Sequence, residues 1–323
     1  MVRRMLLGKD VVTLNESQRV IYRRRAMIDI EEVAERIYHL ETSVPGAECP
    51  LSAYLIHEEK GVLIEPGPTT AIPLIQEGMK QLGMAEISYI IPTHVHIDHA
   101  GAVGKLAELF PQAKVVLHPQ GVKHAVDPSR LIQSTRMAFG DDFEVRYGPI
   151  LPVPESQVKV PVDGEMLSIN GRELQVIYAP GHAPHQIAIF DKKTGGLFCG
   201  EALGFPRKGA ESSPIPTASP PSFDMEAYLK TIKRLRELSP RVLFYSHDGV
   251  GREPDKLISR VEENTKIFSD IILKALREGE TSEAIDYRIR GYISSHFGVN
   301  MEKVNTTMSV KGFILYFKKK RLA

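Results

Sequence analysis

A chain of 323 residues, of which 42% are hydrophobic and 25% are charged, is long enough and apolar enough to bury a large core. Its net charge of +1 gives no electrostatic case for nucleic acid or an anionic membrane as main partner, and no stretch approaches membrane-spanning length. The two cysteines, Cys49 and Cys199, form neither a disulfide framework nor a cysteine-based metal motif. The apolar run at residues 5–7 is too short for a secretory signal, so we expect a cytoplasmic protein.

The first part of the chain changes its pattern near residue 33. Residues 1–32 are basic and irregular, and we expect a solvated extension or an oligomer strap, with a nucleic-acid-binding arm as the alternative. Short apolar strands then alternate with helices. The first predicted elements are a hairpin, a helix, a strand and a helix, at residues 53–56, 62–64, 72–82, 87–91 and 103–110.

The alternation continues to about residue 250. Predicted strands lie at residues 115–117, 174–178, 187–190 and 242–245, and predicted helices at 122–126, 131–139 and 225–239. The segment 120–155 either lines a pocket or is a surface insertion. Residues 204–223 contain five prolines and many small side chains, so we expect no packed element there.

The pattern changes again after Gly251. Residues 257–275, 285–297 and 301–310 are typical of helices, and the apolar run 313–317 is typical of a strand. We therefore divide the chain into a catalytic domain, residues 33–251, and a mainly helical subdomain, residues 252–323. This subdomain is expected to shape a pocket or a dimer contact and to supply no metal ligand.

One stretch combines several residues that bind metals. Three imidazoles and one carboxylate lie within six positions: His94, His96, Asp98 and His99. These are usual ligands for zinc and for ferrous or manganous ions. His94 and His96 cannot share a helix face, so they are predicted to lie on an extended turn after the strand at 87–91. A set of solvated histidines or a closed structural zinc site would explain fewer of these residues.

The sequence His-x-His-x-Asp-His after an apolar strand resembles the signature of the metallo-β-lactamase-fold hydrolases. Four further segments resemble that family's elements in the family's order, at residues 63–67, 179–182, 197–201 and 245–249. The resemblance, closest to glyoxalase II-like and lactonase-like members with a C-terminal helical extension, covers residues 33–250. It implies an α+β fold, a four-layer αβ/βα sandwich with a dinuclear site at one edge. The helix-helix-strand order at the C-terminus resembles a winged helix.

The resemblance also implies two sets of metal ligands, three histidines in the first and one aspartate with two histidines in the second: His94, His96 and His182; Asp98, His99 and His247. Glu201 would bridge the two ions, in a position where the family normally has aspartate. The ions would be zinc, with iron or manganese as alternatives, and Asp98 would shuttle a proton. His185 either contacts substrate or is a structural histidine, and Glu65 is expected to be structural.

These features predict a metal-dependent hydrolase that uses a metal-bridging hydroxide on a small ester, thioester or lactone. Its partner would be a small-molecule substrate, with no membrane, and a homodimer remains an open alternative. Two other classes also stay open. One is a phosphodiesterase or ribonuclease of the same fold, and the other is a ligand-binding or sensing protein with weak turnover. An iron redox enzyme would use the same ligand types.

Overall fold

The computed structural model describes residues 5–7, 10–12, 29–42, 50–140, 143–207 and 210–322. Most of the basic segment 1–32 therefore lies outside the described residues, as does Cys49. Within that segment the structure has a short antiparallel hairpin, Met5–Leu7 (β1) with Asp10–Val12 (β2), and the first strand of the main sheet already begins at Ile30.

The first sheet has seven strands, whose spatial order follows the chain. They are Ile30–Ala34 (β3), Ile37–Glu41 (β4), Ser52–Ile56 (β5), Gly61–Ile64 (β6), Ile87–Ile91 (β7), Lys114–Val116 (β8) and Val158–Lys159 (β9). Strands β3 to β6 pair antiparallel, and β6 to β9 pair parallel.

The remaining strands form a six-stranded sheet and a separate hairpin. In chain order they are Met166–Ile169 (β10), Arg172–Tyr178 (β11), Ile187–Asp191 (β12), Gly196–Gly200 (β13), Phe205–Arg207 (β14), Ala210–Ile215 (β15), Val242–Tyr245 (β16) and Val250–Gly251 (β17). The larger sheet has the order β10-β11-β12-β13-β16-β17, in which only the β13–β16 pair is parallel. Strands β14 and β15 form the hairpin.

The α-helices are Ile72–Gln81 (α1), Ile97–Ala100 (α2), Val103–Leu109 (α3), Val122–Val126 (α4), Ser129–Phe139 (α5), Phe143–Tyr147 (α6), Met225–Glu237 (α7), Pro254–Arg277 (α8), Ser282–Phe297 (α9) and Thr307–Lys320 (α10). Short 3-10 turns occur at Thr69–Ala71, Pro119–Gly121, Glu155–Gln157 and Met301–Lys303. Among the described residues, no helix has the length and apolar character needed to cross a membrane.

The two sheets pack face to face, and helices cover both outer faces. Strand β6 illustrates the arrangement, because Val62 and Ile64 pack in the core between the sheets while Leu63 packs with α1 and α3 on the outer face. In β13, Phe198 lies between the sheets and Leu197 packs with the helices of the other side. Burial on both faces explains why these strands read as continuous apolar runs. The predicted four-layer α+β sandwich is confirmed.

The C-terminal region is mainly helical, as expected, but its last element was predicted incorrectly. Residues 313–317 were expected to form a strand and instead lie in α10. Val310, Phe313, Ile314 and Phe317 are buried, which is the spacing of one helix face. An apolar run of five residues does not distinguish a strand from a buried helix. The helix predicted at 301–310 is a 3-10 turn followed by the start of α10, and the winged-helix order is therefore wrong.

The proline-rich segment 204–223 was also predicted incorrectly, because it contains the hairpin β14–β15. Pro206 lies in β14 and Pro214 in β15. Each strand of a two-stranded ribbon has one edge without a partner strand, where a missing N–H group costs no ladder hydrogen bond. The hairpin packs against α8 through Ile215 and Val261, both buried.

Candidate metal centre

All seven candidate ligands lie beyond the carboxyl ends of strands, at one edge of the sandwich. After β7 the chain stays extended, with His96 at φ −67° and ψ 153°, before α2 presents Asp98 and His99. The other three ligands each follow the end of a strand in the second sheet: His182 after β11, Glu201 after β13 and His247 after β16. Strand ends from both sheets therefore meet at a single site.

The side chains form two groups whose potential ligand atoms lie within 4.8 Å of one another: His94, His96, His182 and Glu201; Asp98, His99 and His247. In the first group, Nδ1 of His96 lies 2.9 Å from Nε2 of His94 and 3.3 Å from Nε2 of His182. In the second, Oδ2 of Asp98 lies 3.5 Å from Nε2 of His99 and 3.7 Å from Nε2 of His247.

Glu201 lies between the two groups. Its Oε2 is 2.6 Å from Nε2 of His182 and 3.7 Å from Nε2 of His94, whereas its Oε1 is 3.6 Å from Nε2 of His247. Each carboxylate oxygen thus faces a different group.

Hydrogen bonds on the far side of the imidazoles select the nitrogen that faces the centre. Nδ1 of His182 donates to the carbonyl oxygen of Thr217 at 3.0 Å, and Nδ1 of His94 lies 3.1 Å from Oγ1 of Thr93. Both bonds leave Nε2 free to face the centre. Nδ1 of His99 is held by Glu65, and its buried Nε2 has no hydrogen-bond partner among the described residues.

The electrostatics of the cluster suit a cation. Burial lowers the pKa of His96 to about 4, and His182 acts in the same direction. Burial opposes ionisation of Glu201, but His182 and His247 outweigh it and hold its pKa well below the usual range. Burial likewise opposes protonation of His99, but Asp98 and Glu65 raise its pKa to about 10. His96 is therefore a neutral donor, whereas the carboxylates around His99 hold a proton on its ring in the metal-free chain. The same carboxylates favour a divalent metal ion, which would take the place of that proton, and imidazole and carboxylate are ligand types that fit such ions.

Two glycines allow the ligand loops to approach their neighbours closely. Gly181 has φ 138°, and a Cβ atom there would overlap the backbone of Tyr228. Gly200 has φ 54°, and a Cβ atom there would overlap Oγ1 of Thr93. Each precedes a candidate ligand, so a larger residue at either position would displace His182 or Glu201.

Side chains beside the cluster form its surroundings. The ring of His185 is nearly parallel to that of His94, with centroids 6.2 Å apart, and its Nδ1 accepts a 3.4 Å bond from the Val95 N–H group. The ring of Phe205, in β14, lies 5.1 Å from that of His247. Neither Phe205 nor Thr217 was predicted from the sequence, because both lie in the proline-rich segment where no packed element was expected.

A family model described as the metallo-beta-lactamase superfamily matches residues 46–247, which is more than half of the chain. The chain therefore belongs to the metallo-beta-lactamase superfamily, and the predicted resemblance is confirmed. The matched residues include all seven candidate ligands, so the family assignment and the ligand cluster concern the same part of the chain.

Relatives of this chain include proteins of archaea and bacteria. A metallo-beta-lactamase fold-containing protein of Sulfurisphaera tokodaii is 31% identical over 169 residues, 51% of this chain and 62% of that protein. A hydroxyacylglutathione hydrolase of Synechococcus is 28% identical over 151 residues, 46% of this chain and 48% of that enzyme. The chain thus matches less than two thirds of either relative. A metallo-beta-lactamase family protein of Thermus thermophilus has the same fold, with a TM-score of 0.65 at 20% identity over 88% of this chain and 94% of that one.

Proposed function

We propose that this protein hydrolyses a small ester, thioester or lactone at a centre that holds two divalent metal ions. Zinc is the expected metal. The observation that carries the proposal is the position of Glu201 between the two ligand groups, with one carboxylate oxygen toward His182 and the other toward His247. Seven ligands exceed what one tetrahedral ion requires, and a carboxylate that faces both groups suits a pair of ions.

When bound, such ions supply Lewis acidity that activates water and polarises a carbonyl group. Asp98 is suited to accept the proton that the water loses. Its side chain is 31% exposed, whereas those of His99 and Glu201 are 1% and 10% exposed, so Asp98 can pass the proton on to solvent. Burial opposes its ionisation, but His99 and His247 outweigh it and lower its pKa, which keeps Asp98 ionised before it accepts a proton.

Two side chains are suited to bind substrate. Because Nδ1 of His185 accepts a bond from Val95, its Nε2 carries the proton and is a donor for a substrate oxygen. Phe205 offers an apolar ring on the side of His247, which suits the hydrocarbon part of an acyl group. The relative named hydroxyacylglutathione hydrolase supports an acyl-thiol substrate, so thioesters head the list of candidates.

The test is a substrate panel with purified protein whose metal content is measured in parallel. The panel contains glutathione and pantetheine thioesters, aliphatic lactones, nitrophenyl esters and bis-nitrophenyl phosphate. We expect turnover of at least one carbonyl substrate that is lost after chelation and recovered on return of metal. Turnover of the phosphodiester alone would contradict the proposal and favour phosphodiester hydrolysis. Full metal loading with no turnover of any substrate would favour a binding protein.

A further inference from the structure

Thr217 contacts two of the candidate ligands at once. Its carbonyl oxygen accepts the hydrogen bond from Nδ1 of His182, and its Oγ1 donates to the backbone carbonyl of Glu201 at 2.8 Å. The residue is 4% exposed, so water does not compete for these bonds. The Glu201 carbonyl also accepts from the hydroxyl of Tyr228 at 3.3 Å. Thr217 therefore holds Nδ1 of His182 and the backbone carbonyl of Glu201. On the side that faces the metal centre, Nε2 of His182 and Oε2 of Glu201 lie 2.6 Å apart.

The segment around Thr217 is held in turn by the C-terminal helices. Asn264, fully buried in α8, donates from Nδ2 to the carbonyl of Pro214 at 2.9 Å. Ser309, in α10, donates from Oγ to the carbonyl of Pro216 at 3.2 Å and accepts from the Ala218 N–H group at 3.5 Å. Residues 214–218 are thus fixed on both sides of Thr217 by helices that contain no candidate ligand.

A glycine brings α10 into direct contact with this segment. A Cβ atom on Gly312 would overlap the carbonyl group of Ala218, whose residue is 2% exposed. A side chain at this position therefore forces residues 214–218 away from α10. By contrast, a Cβ atom on Gly291, in the neighbouring helix α9, would meet nothing within 4 Å. The chain thus offers two helical glycines, one that touches the segment and one that does not.

We propose that Thr217 is a positioning residue through which helices α8 and α10 hold His182 and Glu201 in the arrangement that metal binding requires. The Thr217 carbonyl fixes the tautomer and orientation of His182, and its hydroxyl fixes the backbone from which Glu201 extends. The C-terminal helices thereby act on the metal centre without contacting it. This inference rests on the proposed metal centre and not on the identity of the substrate.

The test compares Co²⁺ binding by the metal-free full-length protein and its variants. The dissociation constant is measured by competition with a chelator, the visible spectrum of the bound Co²⁺ reports its coordination, and thermal unfolding of the metal-free protein reports folding. Thr217→Val keeps the shape of the side chain and removes the hydroxyl donor, whereas Thr217→Ser keeps the donor. Gly312→Ala displaces residues 214–218, and Gly291→Ala is its matched control.

We expect Thr217→Val and Gly312→Ala to weaken Co²⁺ binding by about tenfold or more and to change the spectrum of the bound ion. Thr217→Ser and Gly291→Ala should keep the wild-type affinity and spectrum. If Gly312→Ala does not fold, the Thr217→Val and Thr217→Ser pair decides. Wild-type affinity and spectrum in folded Thr217→Val would overturn the positioning role alone. A wild-type protein that binds no Co²⁺ would overturn the metal centre itself, and with it the proposed function.

Discussion

Glu65 and His99 share a buried hydrogen bond in which Oε2 of the carboxylate lies 2.5 Å from Nδ1 of the imidazole. The other oxygen of Glu65 accepts a 2.9 Å bond from the backbone N–H group of Thr93. Glu65 therefore holds both Thr93, which directly precedes His94, and the imidazole ring of His99. It directs Nε2 of His99 toward Asp98 and is placed behind the ligands rather than among them.

We predict that Glu65→Gln weakens metal binding by roughly tenfold to a hundredfold. The amide keeps the size of the side chain but removes the charge that makes the imidazole a stronger ligand. The measurement is the dissociation constant of Zn²⁺ or Co²⁺ by competition with a chelator. Glu173→Gln, which removes an exposed carboxylate in β11, is the control and should have no effect. Equal affinities in the two variants would show that Glu65 does not tune His99.

Phe205 is predicted to select for the apolar part of the substrate. Phe205→Ala should lower kcat/KM for long-chain acyl substrates by about tenfold or more, because it removes an apolar wall. Acetyl substrates should be affected much less, and metal content should not change. Phe205→Leu keeps an apolar side chain and should retain most of the chain-length preference. The same loss for acetyl and long-chain substrates would indicate damage to the centre rather than a lost wall.

The stability of the metal-free protein should depend on pH through His39, whose Nε2 lies 2.9 Å from Oγ of Ser52. Burial lowers the pKa of His39 below 6.5. Between this lowered pKa and 6.5, the unfolded chain binds a proton that the folded chain does not. The free energy of unfolding therefore decreases as the pH falls below 6.5. In urea unfolding, the stability of wild type minus that of His39→Gln should therefore rise from about pH 5 to pH 7 and then level off. A difference that is constant with pH would refute this contribution.

Removal of one partner of a buried ion pair in the second sheet is predicted to destabilise the protein. Arg172 donates from Nε and an NH group to the two oxygens of Asp191 at 3.0 and 2.7 Å, and the side chains are 1% and 0% exposed. Arg172→Met leaves the buried Asp191 carboxylate with hydrogen bonds from the N–H groups of Lys193 and Thr194 but without a cation beside it, so it should cost about 3 to 5 kcal/mol in urea unfolding. Lys105→Met breaks the exposed pair with Glu108 and should cost less than about 1 kcal/mol. Similar losses in both variants would show that the buried pair matters no more for the free energy of unfolding than the exposed one.

Much of the fold could be predicted from the sequence, because strands buried on both faces and helices with one apolar face have distinct patterns. The apolar run at 87–91 followed by His94 and His96 placed the ligand loop correctly at a strand end. The sequence pattern did not predict features that depend on contacts between residues far apart in the chain. Residues 313–317 become helical because Phe313 and Phe317 pack on one face of α10. The contact between Thr217 and His182 spans 35 positions, and no local pattern encodes it.

If Glu201 joins two metal ions, Glu201→Gln should remove at least one of them. The variant keeps the size of the side chain and removes the charge that faces both His182 and His247. Elemental analysis after dialysis, with thioester hydrolysis measured in parallel, should give two ions per chain for the wild type. Glu201→Asp should retain two ions. Glu201→Gln should retain one ion at most, and its turnover should fall by about tenfold or more. Two ions per chain and wild-type turnover in Glu201→Gln would show that Glu201 does not join the ions.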